Sequence, residues 1–319
     1  MAERPRYSVV IPVFNVEPYL RGCLESVLRQ ASDDWEAVCV DDGSTDGSPA
    51  ILDDFAARDS RFRVVHQANA GEGAARNAAL GLARGEWIAF LDSDDFLSPQ
   101  AFALWDRALA RFPDSEIVFF GTQFFPVPAE AAFPPDGGSA ADVPCVDVSD
   151  QMPNFSLVKG FASRIYRHDI LAGLTFPDYH VGADVDFMVS AMLRAHHGAL
   201  VGTALYGYRQ FDRTPVRPVP LSRIHDRLAF SSSVLDKFLH SERAIDEGNF
   251  RRYYKNVMKG ALREMREVSP ADRDEAWDIW WKTVDKLLAF PGLPARHRIR
   301  LMIASKIHSR VLARLLFVK

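Results

Sequence analysis

Over the first 120 positions, short apolar runs alternate with longer stretches of helical spacing. Tyr7 to Val13 is a β-branched run ended by Pro12 and Asn15, the pattern of a buried strand. From Pro18 to Gln30, Leu20, Cys23, Leu24, Val27 and Leu28 fall on one helical face. Trp35–Val40 is a second strand. The loop "DDGSTDGS" follows, with Ser48 placed to cap a helix over Pro49–Arg58. Phe62–His66 is a third strand, "NAGEGAARNAALGLA" a loop feeding a helix, and Trp87–Leu91 a fourth strand. A helix over Pro99–Arg111 and a strand over Glu116–Gly121 continue the series. Strands alternating with helices over such short connections predict an α/β fold with a mostly parallel central sheet. Ligands of such sheets bind at the carboxyl ends of the strands.

The rhythm breaks at "FFPVPAEAAFPPDGGSAADVPC", a Pro-, Gly- and Ala-rich excursion. Strand and helix signals resume over 157–198, and an apolar segment covers Ala199–Tyr208. From about Ser222 four helical stretches reach the end, punctuated by Ser269-Pro270 and Pro291-Gly292. The expected division is a catalytic domain over 1–220 and a C-terminal helical region over 221–319.

Composition adds little to this picture. The 319 residues are 48% hydrophobic and 25% charged, with a net charge of -4 that gives no reason to expect nucleic-acid binding. Three widely spaced cysteines offer neither zinc spacing nor a disulfide framework, so a reducing cytoplasm is the expected compartment. The N-terminus lacks a signal-peptide core, and no apolar run approaches the roughly 20 residues that span a bilayer. The tail is different. No acidic residue follows Asp285, and over 294–319 arginines and lysines interleave with Leu301, Ile303, Ile307, Val311 and Leu315. That pattern suits an interfacial helix at the inner face of a membrane, or a helix packed on the rest of the protein.

Candidate chemistry gathers at the strand ends. Asp41 and Asp42 end the second strand, Asn69 and Gly71 follow the third, and "AFLDSDDFLSP" crowds Asp92, Asp94 and Asp95 after the fourth. Like charges this close repel. Asp92-Ser93-Asp94 suits Mg²⁺ or Mn²⁺, which take one or two carboxylates and fill their remaining positions with water and phosphate. The same residues also suit a capping turn. Asp41-Asp42 reads as a ribose or base contact or as an Asx-rich turn. Gly71-x-Gly73 carries Arg76 where a dinucleotide fingerprint wants Gly or Ala, though its backbone could still serve a phosphate. Asp184 and Asp186 open a helix, where carboxylates are favoured electrostatically.

Four motifs in this order, "SVVIPVFNVEPYLRGCLESVLRQ", "VDDGSTDGS", "NAGEGAARNAAL" and "WIAFLDSDDFLSP", resemble the family 2 glycosyltransferases of the GT-A fold, of the type that builds bacterial polysaccharides and lipid-linked glycans. The resemblance is dense over roughly the first 110 residues. It continues more weakly through "SRIYRHDIL", "GADVDFMVSAMLRA" and "YGYRQFDRT".

The resemblance implies an inverting hexosyl- or hexosaminyl-transferase that uses Mn²⁺ or Mg²⁺, a nucleotide-sugar donor such as a UDP-sugar, and a glycan or lipid-linked acceptor. It places Pro12, Phe14 and Asn15 under the nucleotide, Asp41 or Asp42 at the uracil or ribose, and Asn69 and Arg76 in the nucleotide pocket. Asp92, Ser93 and Asp94 form the Asp-x-Asp motif, with Asp94 toward the metal and Asp92 nearer the ribose. Arg209 falls near the diphosphate, and Asp184 is the implied base. The Glu that normally precedes that base is here Ala183, and the usual Trp-x-Lys before "YR" is absent. A non-catalytic sugar-nucleotide-binding protein of the same fold is the alternative that Ala183 raises.

Overall fold

The computed structural model describes residues 4–127, 143–149, 161–211, 218–241 and 259–288, together with positions 298 and 302. The excursion over 128–142 and the basic tail, apart from those two positions, lie outside the described residues. The described residues fall into two units. The first is built from 4–127, 143–149, 161–178 and 191–211, and the second from 179–190, 218–241 and 259–288.

The first unit is a sheet with helices. β1 (Tyr7–Val13), β2 (Trp35–Asp41) and β4 (Trp87–Phe90) are buried along their whole length, as their near-continuous apolar sequences require. β3 (Phe62–His66) lies at the edge. The order runs β3-β2-β1-β4, then β8 (Arg164–Arg167), β6 (Ile117–Pro126), β9 (Gly198–Gln210) and β5 (Phe96–Leu97), with β7 (Cys145–Asp147) paired to β9. β3, β2, β1 and β4 are mutually parallel, and β6 runs parallel to β9. β8 is antiparallel to both its neighbours, and β5 and β7 are antiparallel to β9. The sheet is therefore parallel where helical crossovers set it and mixed beyond β4. The two-residue β5 is too short to leave a periodic signal.

The helices follow their apolar stripes: α1 (Glu17–Leu28), α2 (Ser48–Arg58), α3 (Glu72–Leu82) and α4 (Ala101–Arg111). Tyr7 packs its ring on Phe102 at 5.0 Å and Trp105 at 5.4 Å, which ties β1 to α4. Ser48 does not cap α2. The cap position is Gly47, and the Ser48 hydroxyl accepts from the Val16 N–H at 3.1 Å while Asp46 accepts from the Ser48 N–H.

Pro12 shows how β1 delivers the site. Val10 accepts from Leu91 on the β4 side, and β4 pairs with β1 no further than Val10↔Phe90. Two residues on, Pro12 faces the same side, where no neighbouring strand needs an N–H. The fourth strand has turned away there into its acidic loop.

In the second unit, α5 (Ala183–Arg194) begins after Gly182, and α6 (Leu221–Leu239) buries Ile224, Leu228, Ser231, Val234 and Phe238 along one face. Residues 259–264 are helical. α7 (Arg273–Leu288) buries Trp277, Trp280 and Trp281, whose rings pack 4.6–6.1 Å apart.

Candidate functional site

The register of β1, β2 and β3 puts Val13, Asp41 and His66 side by side. The loops after them are then stitched together. Asn15 takes φ 50°, the one positive value at a non-glycine among the described residues, and its Oδ1 accepts from the Thr45 N–H at 2.8 Å. Asn tolerates that conformation better than most residues because its short polar side chain bonds locally. Gly43 (φ 75°) lies against the next loop, where a Cβ would stand 2.9 Å from the Asn69 nitrogen.

Asp41 and Asp42 of "VDDGSTDGS" are buried and engaged. Asp42 accepts from Gln67 Nε2 at 2.7 Å, from the Ala70 N–H at 2.9 Å and from the Gly71 N–H at 2.8 Å. It anchors the third loop. Asp41 accepts from the Ser44 N–H at 3.0 Å, and its other oxygen lies 2.8 Å from His66 Nδ1. That contact, with help from Asp53, raises the His66 pKa. Asn69 is exposed, and Phe14 is 50% exposed at the end of β1.

The acidic loop after β4 is braced from two sides. On one side Arg76 is buried, yet its Nη2 donates to Asp92 Oδ1 and to Glu72 Oε1, both at 2.7 Å. Its guanidinium lies 5.3 Å from the Phe161 ring and 5.5 Å from that of Phe176. On the other side stands β9. The Tyr206 hydroxyl donates to Asp95 at 2.6 Å, and the Arg209 N–H donates to the other Asp95 oxygen at 2.8 Å. The Arg209 guanidinium donates to the Asp94 carbonyl at 2.5 Å and lies over Phe96 at 4.8 Å. Burial is the main cause that pushes Asp95 up to about 7, against the two hydrogen bonds that favour its charged form. Asp95, for which the sequence suggests no role, is thus the post that joins β9 to the loop. Asp92 and Asp94 stand half-buried beside it, and Ser93 is buried between them.

The strand-end loops that the sequence places on one edge therefore meet. The residues that the sequence misses are their braces, Tyr206 and Glu72. A tyrosine in a strand and a glutamate in a helix carry no local signal of that role.

Among the described residues no group of three or more His, Cys, Asp or Glu is arranged to hold a metal. Asp92 and Asp94 offer hard oxygen donors at one loop, and one Asp92 oxygen already takes the Arg76 hydrogen bond. Such a set fits Mg²⁺ or Mn²⁺ only with a ligand's own oxygens completing the shell, which is how these ions bind diphosphates.

In the second unit Asp184 lies in the first turn of α5 and is half-buried. Gly182 before it takes φ 84°, and a Cβ there would fall 2.3 Å from the Phe230 ring. Asp186 is buried, with its carboxylate held by the Tyr179 hydroxyl at 2.5 Å and by the Lys237 ammonium. A cleft of about 590 Å³ in this unit is lined in part by His180, Asp226, Arg227, Arg263 and Glu264. Cys23, Cys39 and Cys145 are free and buried. No helix among the described residues is long and apolar enough to cross a membrane.

Comparison with known proteins identifies this arrangement. Residues 8–114, which carry every strand-end loop just described, match Glycosyl transferase family 2. This segment belongs to that family. The chain is similar to EpsH of Bacillus subtilis, at 34% identity over 221 residues, 65% of this chain and 61% of the relative. It thus spans about three fifths of that relative's length. Among solved structures it resembles S. aureus TarS 1–349 in complex with UDP, with a TM-score of 0.73, 18% identity, and coverage of 98% of this chain and 90% of TarS 1–349. It also resembles the mannosyltransferase PcManGT from Pyrobaculum calidifontis in complex with GDP-Man and Mn²⁺, with a TM-score of 0.53, 19% identity, and coverage of 99% of this chain and 84% of that one. The fold is GT-A, with a mixed central sheet and a helical C-terminal region.

Proposed function

We propose that this protein is a metal-dependent, inverting glycosyltransferase that moves a sugar from a nucleoside-diphosphate donor, a UDP-sugar, to a glycan or lipid-linked acceptor. The observation that carries the reading is the braced acidic loop. Asp92 and Asp94 are held at the carboxyl end of β4 by Arg76 and Arg209, beside the loop that Asp42 anchors. Two half-buried carboxylates at the end of β4 and an exposed aromatic ring at the end of β1 suit a nucleotide diphosphate. Phe14 offers its face to the base, while Asn15, Asp41 and Asn69 border the ribose and base, and Pro12 lies beneath them near the end of β1. The TarS complex with UDP and the PcManGT complex with GDP-Man and Mn²⁺ support the donor class and the metal. A Mg²⁺ or Mn²⁺ ion at Asp94 and Asp92 would neutralise the diphosphate as it leaves. Arg76 and Arg209 hold the carboxylates and the loop that carries them.

Asp184 is assigned as the base that takes the proton from the acceptor hydroxyl. Of the two carboxylates in the first turn of α5, Asp186 is committed to Tyr179 and Lys237, and Asp184 is the one left part-exposed. With Ala183 buried before it, transfer here runs on one acid, where the family resemblance implies a Glu-Asp pair. The basic segment over 294–319 is assigned to the inner face of the membrane, where a lipid-linked acceptor resides.

Two measurements test the reading. Thermal-shift screening of nucleotide-sugars with and without Mn²⁺ should show one donor that raises the melting temperature in a metal-dependent way. Asp184→Asn should abolish sugar transfer with nucleotide affinity within about twofold of the parent. A metal-dependent donor shift in a protein that never turns that donor over would favour the non-catalytic reading that Ala183 raises.

A further inference from the structure

The turn that carries Asp184 is held at three points by one stripe of α6. Asp226 Oδ2 accepts from the His180 N–H at 3.0 Å, the Phe230 ring lies against Gly182, and the Lys237 ammonium pairs with the Asp186 carboxylate. Positions 226, 230 and 237 are spaced four and seven apart, so they share one face of a helix. Along that face they span about 16 Å. The segment 180–186 therefore lies along a splint, with its points of attachment in the same order as those of α6.

The end of the splint is the most expensive part. Asp186 is 3% exposed. Burying a carboxylate is strongly unfavourable unless it is paired and hydrogen-bonded. The Tyr179 hydroxyl and the Lys237 ammonium supply that pairing, and the Ser190 hydroxyl donates to the Asp186 carbonyl at 2.9 Å. An apolar pair would fill the same space with equal or better stability, so stability alone does not account for the ion pair. Direction does. Residues two apart on an α-helix project about 200° apart. With Asp186 locked toward α6, Asp184 is turned away from it.

We propose that Lys237 and Asp186, with Tyr179, are positioning residues that fix the direction in which Asp184 presents its carboxylate. The proposal rests on the assignment of Asp184 as the base. All three act through the first turn of α5.

The test uses the full chain and the donor found by the thermal-shift screen, with release of nucleoside diphosphate to water as the turnover assay. Lys237→Met and the apolar double variant Asp186→Leu/Lys237→Met should lower kcat by roughly 10- to 100-fold. Donor KM, nucleotide affinity and, for the double variant, the melting temperature should stay at the parent values. Lys237→Arg, which keeps the charge, should restore most of the rate. Amide exchange over 182–187 should quicken in Lys237→Met and remain unchanged in β1, β2 and β4. If the double variant fails to fold, Tyr179→Phe removes one hydrogen bond without opening a cavity, and a severalfold loss of kcat is expected.

Parent-level turnover in the variant that folds overturns the clamp, as does unchanged exchange over 182–187 in Lys237→Met. Undiminished turnover in Asp184→Asn overturns the base assignment instead. The exchange measurement needs no turnover and separates the two failures.

Discussion

Arg76 reaches Asp92 from a nearly dry position against two aromatic rings, and that determines what its loss would do. Truncation removes a charge-assisted hydrogen bond and leaves Asp92 facing an incoming diphosphate without its counter-ion. Such a bond is worth about 1.5–3 kcal/mol. Arg76→Ala should therefore weaken UDP binding roughly tenfold or more, measured by titration calorimetry. Affinity equal to the parent's would mean that Arg76 serves only the fold. His66 gives a second prediction at this scale. Its hydrogen bond to Asp41 raises its pKa. A histidine raised on folding adds stability that is complete below its unfolded pKa and is lost as pH rises through the folded one. Following the imidazole by NMR should show titration above the ordinary histidine range in the parent and a lower midpoint in Asp41→Asn. Residue chemistry was only partly legible in the sequence. The strand-end positions of Asp41, Asp42, Asp92 and Asp94 can be read from the apolar runs before them. Which carboxylates are engaged cannot, because Gln67, Tyr206 and Arg209 reach them from elsewhere in the chain.

Among the elements, strands and helices of the first 120 residues were legible because each buries a periodic face or a continuous run, and that signal is local. The antiparallel members were not. β8 is four residues long and β5 two, and their partners are set by contacts far along the chain. Ser48 shows the same limit, since its residue type suits a cap but the fold turns its hydroxyl to Val16. The entry into α5 carries the prediction at this scale. Gly182 combines a positive φ with a ring in the place of a Cβ. Gly182→Ala must either strain the backbone or displace Phe230. It should lower stability by about 1–3 kcal/mol, seen as a drop in denaturant midpoint. Because the change lies two residues before Asp184, sugar transfer should fall further than stability alone explains, while nucleotide affinity holds. Equal losses of binding and transfer would indicate a general collapse.

For the whole molecule, the assignments divide the chemistry between the two units. The braced loops that suit the donor belong to the first unit, and the turn with Asp184 belongs to the second. The loops proposed for the donor all fall within residues 8–114, where the sequence carries the four motifs of the resemblance in order. The base side rests on one short stretch around Gly182–Phe187, and its support comes from α6, 46 to 51 residues further on. If the division holds, the metal should matter to one half of the donor only. Asp92 and Asp94 provide too few ligands to hold Mg²⁺ or Mn²⁺ without phosphate oxygens. Chelation by EDTA should therefore weaken UDP strongly and uridine hardly at all, and Mn²⁺ should restore UDP binding. The Asp184→Asn variant should show the same pattern with the same constants, because Asp184 is assigned to the acceptor's proton and not to the ion or the diphosphate. Uridine binding that falls in step with UDP would place the metal's influence in the base and ribose loops rather than at the diphosphate. A metal effect altered by Asp184→Asn would show that Asp184 contributes to holding the ion.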